Sequence, residues 1–434
     1  MKIFLKALGC RLNEAELQTC AAELLSYGYE VVKSLKDADI VVFNSCAVTQ
    51  EAERKSRRAI RRYYRDKPGI KLVVTGCYAT LSPEDVAEKL GVDLVIDNTQ
   101  KDNLAKIVKE KFDIPTSSVH AAEANESVLF TRGKDRAFVK IQDGCRNSCA
   151  YCIVTVARGE ERSRTPEEVI TEINAIHDQQ INEIVLTGVH VGGYGSDIDS
   201  SLAQLIQTIL EQTSVPRIRI SSLEPWDLSE DIISLFDNQR LMPHLHLPLQ
   251  SGSDGVLMRM GRKCDRDSYR RLVQMARDKI PNLTVTTDII AGFPGETDEE
   301  WSHSLEFVQE MDFSHIHIFS FSSREGTRAA KMENKIAPDV IKQRCKELEQ
   351  INKQMREGVM HSFEGEVFDV LFESYSVDLD SHEKRFFGYT DNYIRVAVDV
   401  PDGLENLAGS VRRVKLDCLD SSHEFMIGRT MQHE

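Results

Sequence analysis

The 434-residue chain is predicted to be an α/β protein with three structured parts. Apolar strands alternate with helices over about the first hundred residues, a second series of six such strands begins at Ala137, and short strands separated by turns follow Glu366. Continuous apolar strands that alternate with helices indicate parallel sheets covered on both faces. The predicted fold is therefore an N-terminal parallel-sheet α/β domain, a partial (βα)6 barrel and a small C-terminal β-barrel.

The composition indicates a globular protein, since 41% of the residues are hydrophobic and 28% are charged. No run approaches the roughly 18 consecutive apolar residues that a membrane-spanning helix needs. The first ten residues turn polar too early for a secretory signal, so we expect a cytoplasmic protein that has no membrane partner. The formal net charge of −15 means that a nucleic-acid partner would have to bind a local basic patch.

The boundaries between the parts follow from changes in the sequence pattern. Residues 114–134 lack apolar periodicity and are rich in small and polar side chains, which predicts a linker. A long helix over about Pro338 to Phe363 is expected to close the barrel domain. The predicted domains are an N-terminal domain at 1–113, a barrel domain at 135–365 and a C-terminal β-barrel at 366–434.

Three cysteines on one short loop are the strongest functional signal. Cys145, Cys149 and Cys152 form a C-x3-C-x2-C pattern directly after the first strand of the barrel. Three thiolates can bind three irons of a [4Fe–4S] cluster, which leaves the fourth iron open to a substrate-like molecule. A zinc site is the alternative, although zinc prefers four ligands in paired C-x2-C units.

Three further cysteines share a position in the N-terminal domain. Cys10, Cys46 and Cys77 each lie at the carboxyl end of a predicted parallel strand. Because these ends line one edge of an open α/β sheet, the three side chains are expected to converge there. Three buried structural cysteines are the alternative, but the coincidence at all three strand ends favours a common site.

Together these motifs resemble the radical S-adenosylmethionine (SAM) methylthiotransferases. The triplet, with Tyr151 before its last cysteine, resembles the signature of the radical-SAM superfamily, and the resemblance covers essentially the whole chain. The matching segments include LGCRLN at 8–13, NSCAVT at 44–49, TGCYA at 75–79, ARGE at 157–160 and GYTDNY at 388–393.

The resemblance implies two [4Fe–4S] clusters and SAM as cofactors, and a TRAM-like C-terminal barrel that contacts the substrate. Cys145, Cys149 and Cys152 would bind the radical cluster. The other three cysteines, Cys10, Cys46 and Cys77, would bind an auxiliary cluster. Beyond these ligands, the resemblance leaves the catalytic residues of this chain unknown.

The implied reaction uses SAM twice. One molecule donates a methyl group to a sulfur associated with the auxiliary cluster, and a second is cleaved to a 5′-deoxyadenosyl radical. This radical removes hydrogen from C2 of an adenine in tRNA, and the methylthio group is transferred to that carbon. A radical is needed because an aromatic C–H bond is not acidic enough for general acid–base catalysis.

The residues around the first cysteine indicate the substrate. The segment Gly9 to Asn13 (GCRLN) resembles the subgroup that acts on N6-threonylcarbamoyladenosine at position 37, next to the anticodon. The subgroup that acts on isopentenyladenosine usually has Gln-Met-Asn after its cysteine, and the subgroup that acts on a ribosomal protein has Pro-Lys-Asn. The implied partners are the tRNA anticodon stem-loop and an electron donor such as flavodoxin or ferredoxin, and we expect a monomer.

A basic helix follows the strand that ends at Cys46. Six arginines recur at helical spacing without an acidic residue between the first and the last. Contact with tRNA phosphates is the functional interpretation, and a solvated helix face is the alternative. The six residues are Arg54, Arg57, Arg58, Arg61, Arg62 and Arg65.

The predicted SAM contacts lie in the cysteine loop and beside the barrel strands. Tyr151 is expected near the adenine of SAM, while Gly188 and Gly292 would allow the backbone to approach the cofactor closely. Glu224 and Gln250 could bind its polar groups. Each of these residues could equally be an ordinary turn or strand-end residue.

Two rival functions stay open at this point. His244-x-His246 and His315-x-His317 could bind a catalytic metal, which would indicate a metal-dependent hydrolase. That interpretation leaves all six placed cysteines unexplained. The second rival is a non-catalytic RNA-binding protein whose iron–sulfur clusters are structural.

Overall fold

The computed structural model describes residues 1–112, 135–377, 384–400 and 406–431, with 374–377 described by their backbone. The predicted linker lies outside the described residues. The described residues fall into two units. The first contains residues 1–112, 142–162 and 322–330, and the second contains the remaining described residues.

A parallel sheet forms the centre of the first unit. Its strands are β1 (Lys2–Ala7), β2 (Glu30–Val31), β3 (Ile40–Ser45), β4 (Lys71–Gly76) and β5 (Leu94–Val95). They are arranged in the order β2-β1-β3-β4-β5, and every neighbouring pair is parallel. All six residues of β3 are buried, as expected for a central strand that is covered on both faces.

Helices cover both faces of this sheet. They are α1 (Arg11–Ser26), α2 (Gln50–Asp66), α3 (Cys77–Leu81), α4 (Leu104–Lys111) and α5 (Val154–Arg158), with short helical turns at Leu35–Asp37, Asp85–Lys89 and Lys101–Asn103. Helices α1 and α4 pack on one face against Ile40 and Val42. Helices α2, α3 and α5 pack on the other face against Val41 and Phe43. This alternation along β3 gives the predicted α/β domain its two apolar cores.

Six parallel strands form a partial barrel in the second unit. They are β6 (Arg136–Lys140), β7 (Glu183–Thr187), β8 (Arg217–Ile220), β9 (His244–His246), β10 (Thr284–Ala291) and β11 (His315–Ser320). Two three-stranded sheets, β8-β7-β6 and β9-β10-β11, are joined by backbone bridges from Ile218 to Leu241 and from Ser222 to His246. The predicted (βα)6 barrel is therefore confirmed.

Helices pack around these strands and cover their apolar side chains. They are α6 (Pro166–His177), α7 (Leu202–Gln212), α8 (Glu230–Ser234), α9 (Asp254–Met260), α10 (Arg266–Lys279), α11 (Asp298–Met311) and α12 (Pro338–Ser362). Capping boxes begin α6 at Thr165 and α11 at Thr297. Among the described helices, none is long and apolar enough to cross a membrane.

The C-terminal strands close into a small barrel, as predicted. They are β12 (Val367–Val377), β13 (Lys384–Tyr389), β14 (Arg395–Val400), β15 (Val411–Leu419) and β16 (Met426–Thr430). The barrel order is β12-β13-β14-β16-β15, and its interior is filled by apolar side chains such as Phe372 and Phe386. The smaller strand segments Gln142–Asp143 and Arg162–Ser163 flank the cysteine loop in the sequence.

A buried ionic cluster seals the amino-terminal end of the partial barrel. Glu183 is completely buried and pairs with Arg136, Arg217 and Arg219. Arg219 also donates hydrogen bonds to the backbone oxygens of Thr390 and Asp391, at 2.8 and 2.7 Å. The GYTDNY segment therefore contacts the base of the barrel through its backbone.

Replacing this carboxylate should destabilise the second unit. Burial alone would raise the pKa of Glu183, but the three arginines hold it well below its ordinary value of 4.5. Glu183→Gln would remove the buried carboxylate that these three arginines share, which is expected to lower the free energy of unfolding by about 3–5 kcal/mol. Urea unfolding checks this, with Glu211→Gln on the exposed surface of α7 as a control that should change it by less than about 0.5 kcal/mol.

The same substitution should change how stability depends on pH. Because the folded-state pKa of Glu183 is depressed, its contribution is complete above the unfolded-state pKa and is lost as the pH falls below that value. The difference in stability between the original chain and Glu183→Gln should therefore shrink on acidification below about 4.3. A constant difference from pH 7 to pH 3 would contradict this account.

Candidate metal centre and cofactor site

The first unit brings three cysteines to one edge of its sheet. Cys46 directly follows β3, Cys77 directly follows β4, and Cys10 lies three residues beyond β1. These three strands are neighbours, in the order β1-β3-β4. The predicted convergence at the carboxyl edge is thus present in the structure, and three soft sulfur donors at one place suit iron in a cluster.

Two glycines make room for these sulfurs. Gly9 has a φ of +105°, and a Cβ added there would lie 2.7 Å from Cys46 Sγ. Gly76 has a φ of +93°, and its Cβ would lie 2.3 Å from the Ser45 backbone oxygen. Glycine is required at both positions, because any other side chain would collide with the cysteine loops.

Two asparagines connect the loops that carry the cysteines. Asn13 Nδ2 donates to the backbone oxygens of Leu8 and Ser45, at 2.7 and 3.3 Å. Asn44 Nδ2 donates to the Asn13 backbone oxygen at 3.0 Å. Both asparagines belong to the cysteine motifs of the sequence. The motifs indicate that these residues matter, but they do not indicate which hydrogen bonds the side chains form. They fix the ends of β1 and β3 relative to each other.

A buried network of charges lies beside these cysteines. Arg158 Nη1 contacts Glu16 Oε1 at 2.7 Å and Asp143 Oδ1 at 3.0 Å, and its Nη2 donates to Asn13 Oδ1 at 2.7 Å. Lys101 Nζ contacts Glu16 Oε2 at 2.6 Å. The four charged side chains are at most 4% exposed. Sequence reasoning missed this network, because its members are far apart in the chain.

Burial favours the neutral form of two of these thiols. It raises the pKa of Cys46 from 9.0 to about 11. Burial also raises the pKa of Cys10, and the positive charge of Arg158 offsets part of this rise. Cys10 nevertheless has an exposed surface, so its loop is accessible from outside. Metal binding at these cysteines must therefore release protons.

The cysteine triplet occupies a loop in the same unit. The Asn147 backbone N–H donates to Cys145 Sγ, and the Val154 backbone N–H donates to Cys152 Sγ, each at 3.4 Å. Such contacts favour the thiolate form that a metal needs. A Cβ on Gly144 would lie 1.8 Å from the Glu160 backbone oxygen, so this loop also requires a glycine at its start.

One short helix links the two sets of cysteines. Helix α5 begins two residues after Cys152, ends at Arg158 and packs against α3, which begins at Cys77. Five helical residues span only about 8 Å. Asn98 Nδ2 also donates to the backbone oxygen of Ala157 at 2.7 Å and so fixes this helix to the first unit. Helix α5 therefore starts just after the triplet and ends at Arg158, whose side chain contacts Asn13 beside Cys10.

Four of the predicted SAM contacts follow consecutive barrel strands. Gly188, Glu224, Gln250 and Gly292 lie beyond the carboxyl ends of β7, β8, β9 and β10, where barrel enzymes hold their ligands. Gln250 is 8% exposed and has a φ of +75°, a strained conformation that is common at functional sites. Tyr151 lies in the first unit, within the triplet loop.

Two of these residues have a structural partner that the sequence did not indicate. The Glu224 carboxylate is held by both Arg262 Nη atoms, at 3.1 and 2.6 Å. A Cβ on Gly292 would lie 2.4 Å from Ile341 Cγ1 of α12, and its φ is +80°. The packing of α12 therefore requires a glycine here, in addition to the predicted cofactor contact.

The barrel histidines are arranged differently from the predicted pairs. Ligand atoms of His246, Asp288 and His317 lie within 4.8 Å of one another, which unites one member of each pair with an aspartate. His244 instead stacks on Tyr393 at 4.6 Å between ring centroids. Burial lowers the pKa of His244 well below its ordinary value, as expected for a core histidine.

The basic helix α2 carries fewer available charges than its sequence suggests. Glu51, Glu53 and Asp66 flank the arginine stripe and pair with Arg54, Arg57, Arg62 and Arg65 across one to four residues. These pairs were missed because the acids lie just outside the stripe. Arg58 and Arg61 are exposed and have no ion pair with any described residue.

Helix α2 is also fixed to the cysteine edge of the sheet. Ser56 Oγ accepts a hydrogen bond from the Cys46 backbone nitrogen at 3.1 Å and donates one to the Cys46 backbone oxygen at 2.7 Å. Thr49 caps the helix by accepting from the Ala52 backbone nitrogen at 3.1 Å. The exposed arginines therefore belong to the same rigid group of elements as Cys46.

Comparison with known proteins identifies the family. Residues 139–308 match the family described as Radical SAM superfamily, and residues 2–97 match the one described as Uncharacterized protein family UPF0004. A Threonylcarbamoyladenosine tRNA methylthiotransferase MtaB of Bacillus subtilis (strain 168) is 37% identical over 94% of this chain and 92% of that protein. The chain belongs to the radical-SAM tRNA methylthiotransferase family.

Further relatives lie in two branches of this family. An MtaB protein of Chlamydia pneumoniae is 36% identical over 88% of this chain and 89% of that protein. A tRNA-2-methylthio-N(6)-dimethylallyladenosine synthase of Staphylococcus aureus (strain MRSA252) is 32% identical over 95% of this chain and 82% of that protein. The methylthiotransferase is therefore a transferase that modifies tRNA, and the metal-dependent hydrolase no longer accounts for the chain.

Solved structures agree with the fold. The radical SAM methyltransferase TsrM from Kitasatospora setae, with cobalamin and a [4Fe–4S] cluster bound, has a TM-score of 0.56 at 14% identity and covers 76% of each chain. The cobalamin-dependent enzyme OxsB has a TM-score of 0.52 at 12% identity and covers 81% of this chain and 56% of that one. The radical-SAM fold implies one [4Fe–4S] cluster and SAM for this methylthiotransferase.

The raised pKa of Cys46 can be measured in metal-free protein. Alkylation by iodoacetamide, followed residue by residue with mass spectrometry over a pH series, should give Cys46 an apparent pKa near 11 in the folded chain. In urea the same thiol should titrate near about 8.5, because unfolding removes its desolvation. Identical pH profiles in the two states would show that burial does not control this thiol.

Proposed function

We propose that this methylthiotransferase adds a methylthio group to C2 of N6-threonylcarbamoyladenosine at position 37 of tRNA. The convergence of Cys10, Cys46 and Cys77 in the same unit as the triplet is the observation that carries the proposal, since it supplies a second cluster position. The GCRLN segment and the MtaB names of the relatives at 36–37% identity support this nucleoside. Isopentenyladenosine is the second candidate, because the relative at 32% identity is named a tRNA-2-methylthio-N(6)-dimethylallyladenosine synthase.

The cysteines have distinct roles in this proposal. Cys145, Cys149 and Cys152 bind the radical cluster, whose fourth iron receives SAM. Cys10, Cys46 and Cys77 bind an auxiliary cluster, and the glycines beside them keep that position open. When bound, the clusters supply the electron that cleaves SAM and the site from which sulfur is transferred. The protein orients these groups and keeps the thiolates in place.

SAM is held by residues that follow the barrel strands. The carboxyl-end positions of Gly188, Glu224, Gln250 and Gly292, together with the strained backbone of Gln250, support this assignment. Tyr151 contributes from the triplet loop. Since Arg262 already engages Glu224, this carboxylate would act through an edge that the guanidinium leaves open.

The tRNA anticodon stem-loop contacts α2 through its exposed arginines. Arg58 and Arg61 are exposed and form no ion pair with a described residue, so their charges can contact phosphates. Ser56 connects this helix to Cys46. The flanking members, Arg54, Arg57, Arg62 and Arg65, can reach phosphates when their carboxylate partners release them.

The reaction also needs an electron donor such as flavodoxin or ferredoxin, and we propose a monomeric enzyme of the cytoplasm.

Nucleoside analysis decides the substrate. Mass spectrometry of tRNA digests from cells without this gene should show loss of 2-methylthio-N6-threonylcarbamoyladenosine and accumulation of the unmodified N6-threonylcarbamoyladenosine. A copy of the gene with Cys46→Ala should fail to restore the modified nucleoside. Loss of the 2-methylthio isopentenyl nucleoside instead would contradict this proposal and identify isopentenyladenosine as the substrate.

Charge removal on α2 tests the tRNA contact. Arg58→Gln with Arg61→Gln should weaken tRNA binding and reduce the slope of log K against log salt by about two, roughly one for each lost phosphate contact. Lys106→Gln with Lys111→Gln on α4 is the matched control, since these exposed lysines lie on the helix that covers the opposite face of the sheet. Equal effects of the two double variants would mean that α2 attracts tRNA only through net charge.

A further inference from the structure

Arg158 places a fully buried cation next to the proposed auxiliary cluster. It is 3% exposed and hydrogen-bonds to Asn13, Glu16 and Asp143. Asn13 Oδ1, which accepts from Arg158 Nη2, lies 3.7 Å from Cys10 Sγ. The guanidinium is thus one hydrogen-bonded residue away from the first proposed ligand.

We propose that Arg158 is a positioning residue that, by holding a fixed positive charge beside Cys10, raises the reduction potential of the auxiliary cluster. The inference rests on the proposed function, because it requires a cluster at these cysteines. A one-electron reduction makes an iron–sulfur cluster more negative, so a buried cation stabilises the reduced form. The charge acts through the low-dielectric interior, where salt cannot screen it.

The electrostatic contacts around the site support this direction. Burial lowers the stability of the Arg158 cation, but Glu16 and Asp143 keep its pKa well above the ordinary value, so it stays charged. Arg158 reaches Cys10 through Asn13, and Glu16 Oε2 accepts a hydrogen bond at 3.0 Å from Asn44, two residues before Cys46. These two side chains carry opposite charges near the proposed ligands, so they act on the cluster position with opposite signs.

The other charged groups in the network do not remove this effect. Lys101 pairs with Glu16 at 2.6 Å, and Asp143 pairs with Arg158 at 3.0 Å. Two cations and two carboxylates give a network with no net charge, so its influence depends on which members lie nearest to the sulfurs. Arg158 is joined to Cys10 through Asn13, and the Asn13 hydrogen bond fixes its orientation.

An arginine suits this role better than a lysine. The planar guanidinium forms hydrogen bonds with three different side chains at once, which a single ammonium group cannot reproduce in the same geometry. Arg158 is also the last residue of α5, which begins two residues after Cys152. The side chain that influences the auxiliary cluster is therefore carried by the helix that leaves the radical-cluster loop.

A redox titration of the auxiliary cluster alone tests the proposal. The parent protein carries Cys145→Ala, Cys149→Ala and Cys152→Ala, so that any remaining cluster belongs to Cys10, Cys46 and Cys77. Full-length protein is reconstituted anaerobically, and the midpoint potential is followed by electron paramagnetic resonance during titration with dithionite. Arg158→Gln should shift the midpoint to a more negative value, and Glu16→Gln should shift it to a more positive value.

Two further variants separate charge from structure. Arg158→Lys keeps the charge and should restore most of the shift caused by Arg158→Gln. Arg162→Gln removes the same charge from an arginine whose side chain is 45% exposed and lies 3.8 Å from Asp143, and it should shift the potential much less. If Arg158→Gln fails to assemble a cluster, the positive shift in Glu16→Gln carries the decision.

The outcomes distinguish this inference from the proposed function. Shifts of opposite sign for Arg158→Gln and Glu16→Gln support the inference. A fully loaded cluster whose potential does not respond, or responds in the same direction to both substitutions, overturns the inference and leaves the proposed function standing. A parent protein that binds no iron after reconstitution overturns both.

Discussion

The close approach of the β1, β3 and β4 ends is the constraint on which the rest of the site depends. Parallel pairing forces the carboxyl ends of neighbouring strands to one edge, and the chain places a cysteine at each of these ends. Gly9 and Gly76 allow the loops to approach, and Asn13 ties two of them together. Without this arrangement, the three sulfurs would be isolated thiols buried in a core.

Burial gives these thiols their chemical character. Burial raises the pKa of Cys46 to about 11, so binding of a metal at this thiol must release its proton. Burying the charged side chains of the Arg158 network costs free energy of desolvation, and their position beside the cysteines suits a functional use of the charges. Helix α5 brings one of those charges from the loop of the second cysteine set.

The sequence predicted the fold and the cysteines because their signals are local. Strand periodicity and the position of each cysteine after a strand can both be read within about ten residues. The Arg158 network could not be predicted, because its members Asn13, Glu16, Lys101 and Asp143 meet only after folding. The pairing of Arg54 and Arg62 depends on Glu51 and Asp66, which lie just outside the arginine stripe. The packing of Ile341 against Gly292 is likewise a long-range contact that the local sequence does not indicate.

Iron and sulfide analysis of anaerobically reconstituted protein tests the central claim most directly. Two clusters, one on each set of three cysteines, require about eight irons and about eight sulfides per chain. Cys46→Ala and Cys149→Ala should each reduce this to about four, and the two variants should lose spectroscopically different clusters. About four irons in the unmodified chain, with no loss on Cys46→Ala, would contradict the account.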